Sequence, residues 1–219
     1  MHPLEQRIGY SFKNPALLEL ALTHPSIAKT QSNQRLEFLG DAVLGLVVAR
    51  LLYELFPNEQ EGELARRQAA LVRGETLAAA ARELGLGEAL KLTASEAAGG
   101  GRETTSNLED AFEALLGALY LDGGLAAAEQ FLLPRWQELA HTMKAAPKDA
   151  KTALQEWAQA RGLGVPVYRL CGTSGPAHAP EFTVEATLSG HAPVQAKAAT
   201  KRQAEQLAAQ ALMEQLPHE

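Results

Sequence analysis

Residues 34–52 read QRLEFLGDAVLGLVVARLL, and this stretch decides the fold. From Leu36 to Leu52 the only charged residues are Glu37, Asp41 and Arg50. The stretch reads as a helix over roughly 34–56 that is apolar on nearly every side, and such a helix is expected to be buried. Glu37 and Asp41 are four residues apart and share one face, which continues through the apolar Leu44 and Val48. Two like charges therefore stand on a surface expected to face the interior, which is costly unless something positive compensates them. No Lys or Arg lies on the same face.

A second stretch repeats the oddity. Residues 108–121, LEDAFEALLGALYL, carry Asp110 and Glu113 three apart and no charge from Ala114 to Leu121. Ser106 followed by Glu109 has the spacing of a capping box, which would account for Glu109 at the start of this helix. Two helices that each hold a carboxylate pair can meet to give four oxygen donors at one point, a set suited to Mg²⁺ or Mn²⁺. Gly40 and Gly117 would let the two backbones approach closely. A single pair at such spacing is what an ordinary half-exposed helix carries. Two pairs in two strongly apolar helices favour the metal reading over surface carboxylates.

The chain has 219 residues, a net charge of −6 and 46% hydrophobic residues, which excludes disorder throughout and allows one large domain or two small ones. A single cysteine excludes an internal disulfide framework and a Cys-rich zinc site. The opening MHPLEQRIGYSF lacks a signal peptide's basic start and apolar run, and no stretch of about 18 uncharged apolar residues occurs. The expectation is a soluble cytoplasmic protein with no membrane partner. An acidic balance argues against nucleic acid as a partner until the charges are located. Residues 1–146 hold 13 Lys+Arg against 19 Asp+Glu, and residues 147–219 hold 7 of each, so the whole deficit lies in the first part.

Composition also changes near residue 145. The first part is Ala/Leu-rich and reads as all-helical, with helices at roughly 15–22, 34–56, 61–84, 106–121 and 124–142. Gly123-Gly124 ends the fourth, and Leu92–Thr105, with its three consecutive glycines, reads as a mobile loop. Met143–Asp149 reads as a linker, which places the domains at 1–144 and 149–219. The second part reads α-β-β-β-α: a helix over Lys151–Arg161, strands over Val165–Gly172, Glu181–Ser189 and Pro193–Lys197, and a helix from about Ala199 to Gln215. The fold class is thus two domains, an all-α domain followed by a small α+β one.

The run NQRLEFLGDAVL (33–44) closely resembles the signature of bacterial ribonuclease III. The resemblance extends to Leu22–Ser26, Glu61–Leu64, Leu71–Leu77 and Glu109–Asp122. The second part resembles a double-stranded-RNA-binding domain through KTALQE (151–156), Pro166–Tyr168, GPAH (175–178), Phe182–Val184 and KRQAEQLAA (201–209). In that family the matching carboxylates, Glu37, Asp41, Asp110 and Glu113, are catalytic and hold Mg²⁺. The resemblance thus implies an endoribonuclease that cleaves duplex RNA, with no small-molecule cofactor. A metal-bound water would attack phosphorus in line, leaving 5′-phosphate and 3′-hydroxyl ends.

A further acidic position of the family matches Glu61, whereas Gln34 stands where the family often has Glu, which weakens a second metal. The family works as a homodimer, and Phe38 resembles the aromatic that inserts into the partner; core packing is the alternative for it. Two sites in one cleft would leave short 3′ overhangs, and ribosomal and messenger precursors are the family's usual substrates.

For RNA contact, Thr152, Gln155, Glu156 and Gln159 share one helix face able to reach a minor groove. His178 matches a second minor-groove contact, and Lys197, Lys201 and Arg202 form a phosphate patch. Ala196 and Ala198 replace glycines common in the family before that patch. His24 reads as structural, Cys171 as core, Trp136 and Trp157 as packing, and Arg102 as either an RNA contact or a solvated loop charge. Two rivals remain: a duplex-RNA binder whose helical part only dimerises, and another all-helical Mg²⁺ enzyme such as a nucleotide pyrophosphohydrolase.

Overall fold

The computed structural model describes residues 3–143, 150–175 and 180–216. The chain divides into two compact units, Met1–Pro147 and Lys148–Glu219. The first is helical: α1 (Pro3–Ile8), α2 (Pro15–Ala21), α3 (Gln34–Leu55), α4 (Glu61–Leu71), α5 (Gly74–Leu84), α6 (Leu86–Ala89), α7 (Ala94–Ala98) and α8 (Thr105–Thr142). The second has α9 (Ala150–Ala160), then β1 (Val167–Ser174), β2 (Glu181–Thr187) and β3 (Val194–Ala198), then α10 (Lys201–Glu214). The three strands form an antiparallel sheet in sequence order, with a register shift between Leu170 and Gly172.

The first core is built on α3 and α8, which share the most extensive helix–helix interface. Leu44, Val48 and Leu52 from α3 and Leu108, Phe112, Leu115 and Leu119 from α8 are buried there. Each such side chain stabilises the fold by about 1.5–3 kcal/mol relative to exposure. Trp136 closes one end, stacked on Phe112 at 5.4 Å with its indole N–H on the Leu71 carbonyl at 3.2 Å. By length and composition α8 would pass for a membrane-crossing helix, but 61% of its most apolar stretch is buried inside the protein.

Several expectations change. The helix read over 61–84 is two, because Arg73 is extended (φ −72°, ψ 151°) and Gly74 starts α5 afresh. The stretch read as a mobile loop holds α7, started by Thr93, whose hydroxyl accepts from the Glu96 N–H at 3.4 Å. It is also tied down by Arg102, half-buried, whose Nη1 donates to the carbonyls of Gly87, Glu88 and Leu90 at 2.7–3.0 Å, which gives Arg102 a structural role that neither reading of it anticipated. The Ser106–Glu109 capping box is absent: α8 starts one residue earlier behind Thr104, and Ser106 lies within it. The terminus read at Gly123-Gly124 holds, by contrast: Gly124 (φ 73°, ψ −171°) is non-helical and separates two helical stretches within α8. Finally, α3 is not buried all round. Phe38, Leu46 and Tyr53 are 80%, 58% and 73% exposed along one flank, which excludes core packing for Phe38.

The second unit packs α10 across β2 and β3 and against α9. Leu154, Ala158, Ala186, Leu188, Ala208 and Leu212 fill the space between. Cys171, expected in this core, is instead exposed on β1 at the register shift.

The helix crossing makes a sharp prediction. A Cβ on Gly40 would overlap the Glu113 carbonyl oxygen and come within 3.0 Å of the Gly117 nitrogen, so only backbone displacement could admit it. Gly40→Ala should therefore destabilise the first unit by about 3 kcal/mol, at the upper end of overpacking penalties, despite alanine's better helix propensity. Chemical denaturation checks this, and a neutral or stabilising result would contradict the direct backbone contact.

Candidate active site and nucleic-acid interface

The carboxylates gather where α3 and α8 cross. Gly40 sits against the Glu113 backbone, and a Cβ on Gly117 would lie 3.1 Å from the Leu36 carbonyl carbon. With no side chain between the two backbones, Glu37 and Asp41, which flank Gly40, are brought alongside Glu113 and Asp110. Glu113 is only 9% exposed, Glu37 and Asp110 are half-buried, and Asp41 is exposed, so the face read as wholly inward is a cleft open at the Asp41 side.

None of these four forms an ion pair with Lys or Arg among the described residues, and the electrostatics show the strain. Glu113 is pushed up to about 8, first by burial and then by Asp41, Glu109, Glu37 and Asp110. Glu37 is raised by burial and by Asp110, Glu109 and Asp41. Asp110 is raised by burial, opposed by its neighbour His24. His24 also accepts the Ser26 N–H on Nδ1 at 3.1 Å, which fits a structural role.

A fifth carboxylate joins them. Glu109, dismissed as a helix cap, is raised by burial and by Asp110, Glu75 and Asp41, and its carboxylate lies on Gly74 at the start of α5. The spacing of Glu109 to Ser106 concealed it; the neighbouring Thr104 and Thr105, equally able to cap, were the available warning.

The donor set suits a hard divalent cation: carboxylate oxygens only, one of them deeply buried, with no resident cation to balance them. Among the described residues no three such groups are drawn into coordinating geometry. Glu61 is elsewhere. It is exposed at the start of α4, where it lines a groove with Tyr53 from the far end of α3, and it is not among the groups that raise Glu113, Glu37 or Asp110. Gln34 is exposed, with Ser32 Oγ near its Oε1 at 3.5 Å.

In the second unit, Thr152, Gln155, Glu156 and Gln159 are all exposed on α9, opposite the buried Leu154 and Ala158. Thr152 and Gln155 line an open cleft with Lys151, Lys201, Arg202, Glu205 and Gln206; Glu156 and Gln159 do not. Arg202 also lines an adjoining groove with Lys197 and Leu207. Thr200 caps α10, its hydroxyl accepting the Gln203 N–H at 3.2 Å, which fixes Lys201 and Arg202 in the first turn. Lys197 pairs with Glu181 at 3.3 Å. His178 lies outside the described residues. Lys151 and Glu205 are cleft residues that the sequence reading quoted only as part of motifs. Trp157 packs edge-on to His191 and under Arg161.

A helical unit with a clustered-carboxylate cleft, followed by an α-β-β-β-α unit with a cationic one, defines a nuclease joined to an RNA-binding module. Comparison with known proteins bears on this directly. The Ribonuclease-III-like family model matches residues 14–138, and the double-stranded RNA binding motif matches residues 150–216. The chain is 53% identical to Ribonuclease 3 of Ruegeria pomeroyi over 99% of its own length and 97% of that protein. It is 50% identical to Ribonuclease 3 of Caulobacter vibrioides over 96% and 94% of the two chains. The nuclease domain of the Campylobacter jejuni ribonuclease III superposes with a TM-score of 0.61 at 42% identity, covering 63% of this chain and 96% of that one. The chain belongs to the ribonuclease III family and is an endoribonuclease.

The raised Glu113 makes stability depend on pH. Its carboxyl titrates near 4.5 when unperturbed and about 8 in the fold, so the folded state holds the proton more tightly. The cost of ionising it is absent below about pH 4.5, grows through the interval and is complete above pH 8. With chelator present, Glu113→Gln should leave the melting temperature nearly unchanged at pH 5 and raise it by about 3 °C at pH 8.5. A shift independent of pH would refute the buried, unbalanced carboxylate.

Proposed function

We propose that the chain is a Mg²⁺-dependent endoribonuclease that cleaves double-stranded RNA as a homodimer, with Mn²⁺ able to substitute. The observation that carries this is the carboxylate cluster at the Gly40–Gly117 crossing, with Glu113 buried and no Lys or Arg ion pair to it among the described residues. Glu37, Asp41, Asp110 and Glu113 would hold the cation, and Glu109 adds negative charge beside them. When bound, the ion supplies Lewis acidity that activates water and stabilises the leaving 3′ oxygen.

The remaining chemistry belongs to the protein. The four carboxylates fix the site on two helices whose relative position cannot slide, because backbone meets backbone. Glu113 must surrender its proton when a cation arrives, so cation affinity falls in acid. Gln34 offers a neutral amide in place of a carboxylate, and Glu61 stands exposed at the start of α4, outside the group of carboxylates that raise Glu113, so one firmly held cation per chain is the reading we favour.

Products would carry 5′-phosphate and 3′-hydroxyl ends with short 3′ overhangs. Ribosomal and messenger RNA precursors in the cytoplasm are the fitting substrates. Dimerisation through α3 is supported by its exposed apolar flank of Phe38, Leu46 and Tyr53. The Campylobacter jejuni nuclease domain is described as having a flexible region involved in dimer formation.

Asp110→Asn should abolish cleavage of a long RNA duplex in Mg²⁺ while leaving duplex binding within about twofold; near-normal cleavage would remove the metal assignment. Phe38→Asp should shift the protein from dimer to monomer in sedimentation at micromolar concentration. A wild-type monomer under the same conditions would refute the α3 interface.

A further inference from the structure

The cationic cleft of the second unit contains its own anion. Lys151 on α9 and Lys201 on α10 both face Glu205, at 2.6 Å and 3.9 Å. Glu205 is the most buried of the three, its side chain 18% exposed against 34% for Lys151 and 57% for Lys201. Arg202, Thr152 and Gln155 complete the same cleft. The carboxylate is therefore held between two of the three cations that any phosphate entering here would need. Lys201 is not locked, since its pair with Glu205 is long and half in solvent and such pairs are worth only about 0.2–1 kcal/mol, whereas Lys151 is partly buried and also lies 4.5 Å from the Tyr168 ring centroid. A phosphate can displace Lys201 from Glu205, but Glu205 has little room to leave and keeps repelling the phosphate at close range.

We infer that Glu205 is an internal competitor of the RNA backbone, a residue that sets duplex affinity below what Lys151, Lys201 and Arg202 would deliver unopposed. This rests on the duplex-RNA reading of the second unit. The consequence is kinetic. An endoribonuclease must release cut duplexes that still carry the phosphates it recognised, and product release often limits turnover. A carboxylate that competes for the lysines weakens substrate and product alike and favours turnover when substrate is abundant.

The test is binding of a 20-base-pair RNA duplex by the full chain in chelator, across a salt series. Glu205→Gln should tighten binding about 3–10-fold at 0.1 M salt and steepen the salt dependence by about one unit, since roughly one more phosphate is neutralised. Glu205→Ala, which keeps the helix with its strongest former, should do the same. Glu214→Gln is the charge-matched control. It lies nine residues further along α10, about 13 Å at the helical rise and beyond the Debye length, where it accepts a hydrogen bond from Gln210. It should change neither quantity. In Mg²⁺, the Glu205 variants should show lower KM and lower kcat together. Unchanged affinity and slope in both Glu205 variants would overturn the proposal, as would an equal gain from Glu214→Gln. Failure of the wild-type chain to bind duplex at all would instead overturn the RNA reading on which it rests.

Discussion

The structure of the first unit depends on a contact with no side chain in it. Where α3 crosses α8, Gly40 and Gly117 let backbone touch backbone, and an added Cβ would collide with main-chain atoms of the other helix. Such proximity is only available to glycine, and it fixes both the separation and the axial register of the two helices. The apolar core follows from that register, since Leu44, Val48, Leu108, Phe112 and Leu115 bury one another only when the helices meet at this point. The carboxylates follow too. Glu37 and Asp41 bracket Gly40, and Glu113 is the residue whose backbone Gly40 meets, so the crossing that minimises helix separation also concentrates negative charge.

That concentration explains why the net charge of −6 is compatible with an RNA substrate. The acid excess belongs to the unit that carries the carboxylate cluster, where burial and neighbouring carboxylates push Glu113 up to about 8. A divalent ion would reverse the local sign of the cleft and make it able to accept a phosphodiester. The apolar walls sharpen this, because charges interact more strongly where water is excluded. The same core that stabilises the fold thus raises the energy of the ionised carboxylates beside it.

Much of this was legible in the sequence because it rests on spacing within single helices. The i, i+4 and i, i+3 carboxylate pairs, the two glycines and the α-β-β-β-α order are local patterns that survive folding unchanged. What was not legible depended on tertiary partners. Glu109 looked like a cap because Ser106 precedes it by three, yet several residues before α8 could cap it, and the packing of α5 places Glu109 in the cluster. Arg102 read as either an RNA contact or a solvated loop charge, because its three carbonyl acceptors, in α6 and the residue just beyond it, are brought to it only by the fold. Phe38 was legible as an interface residue only through the family resemblance, because an apolar helix is normally buried; that Leu46 and Tyr53 join it on one bare flank of α3 depends on which faces the rest of the chain covers.

The two units solve the same electrostatic problem in opposite directions. In the first, a surplus of carboxylates would be balanced by a cation from solution, so engagement of RNA there depends on ion concentration. In the second, equal numbers of acids and bases leave no long-range attraction, and recognition must come from a few cations placed at one helix terminus and polar groups on another. A strongly basic module would capture any polyanion and hold it; a neutral one with a carboxylate set among its lysines responds to short-range shape. If Thr152 and Gln155 on α9 and Lys201 and Arg202 on α10 meet RNA as proposed, their spacing would carry the discrimination, because hydroxyl contacts in a minor groove and phosphates across the adjoining groove occur together only on an A-form duplex. Weak overall attraction is the condition under which that geometric coincidence decides what is bound.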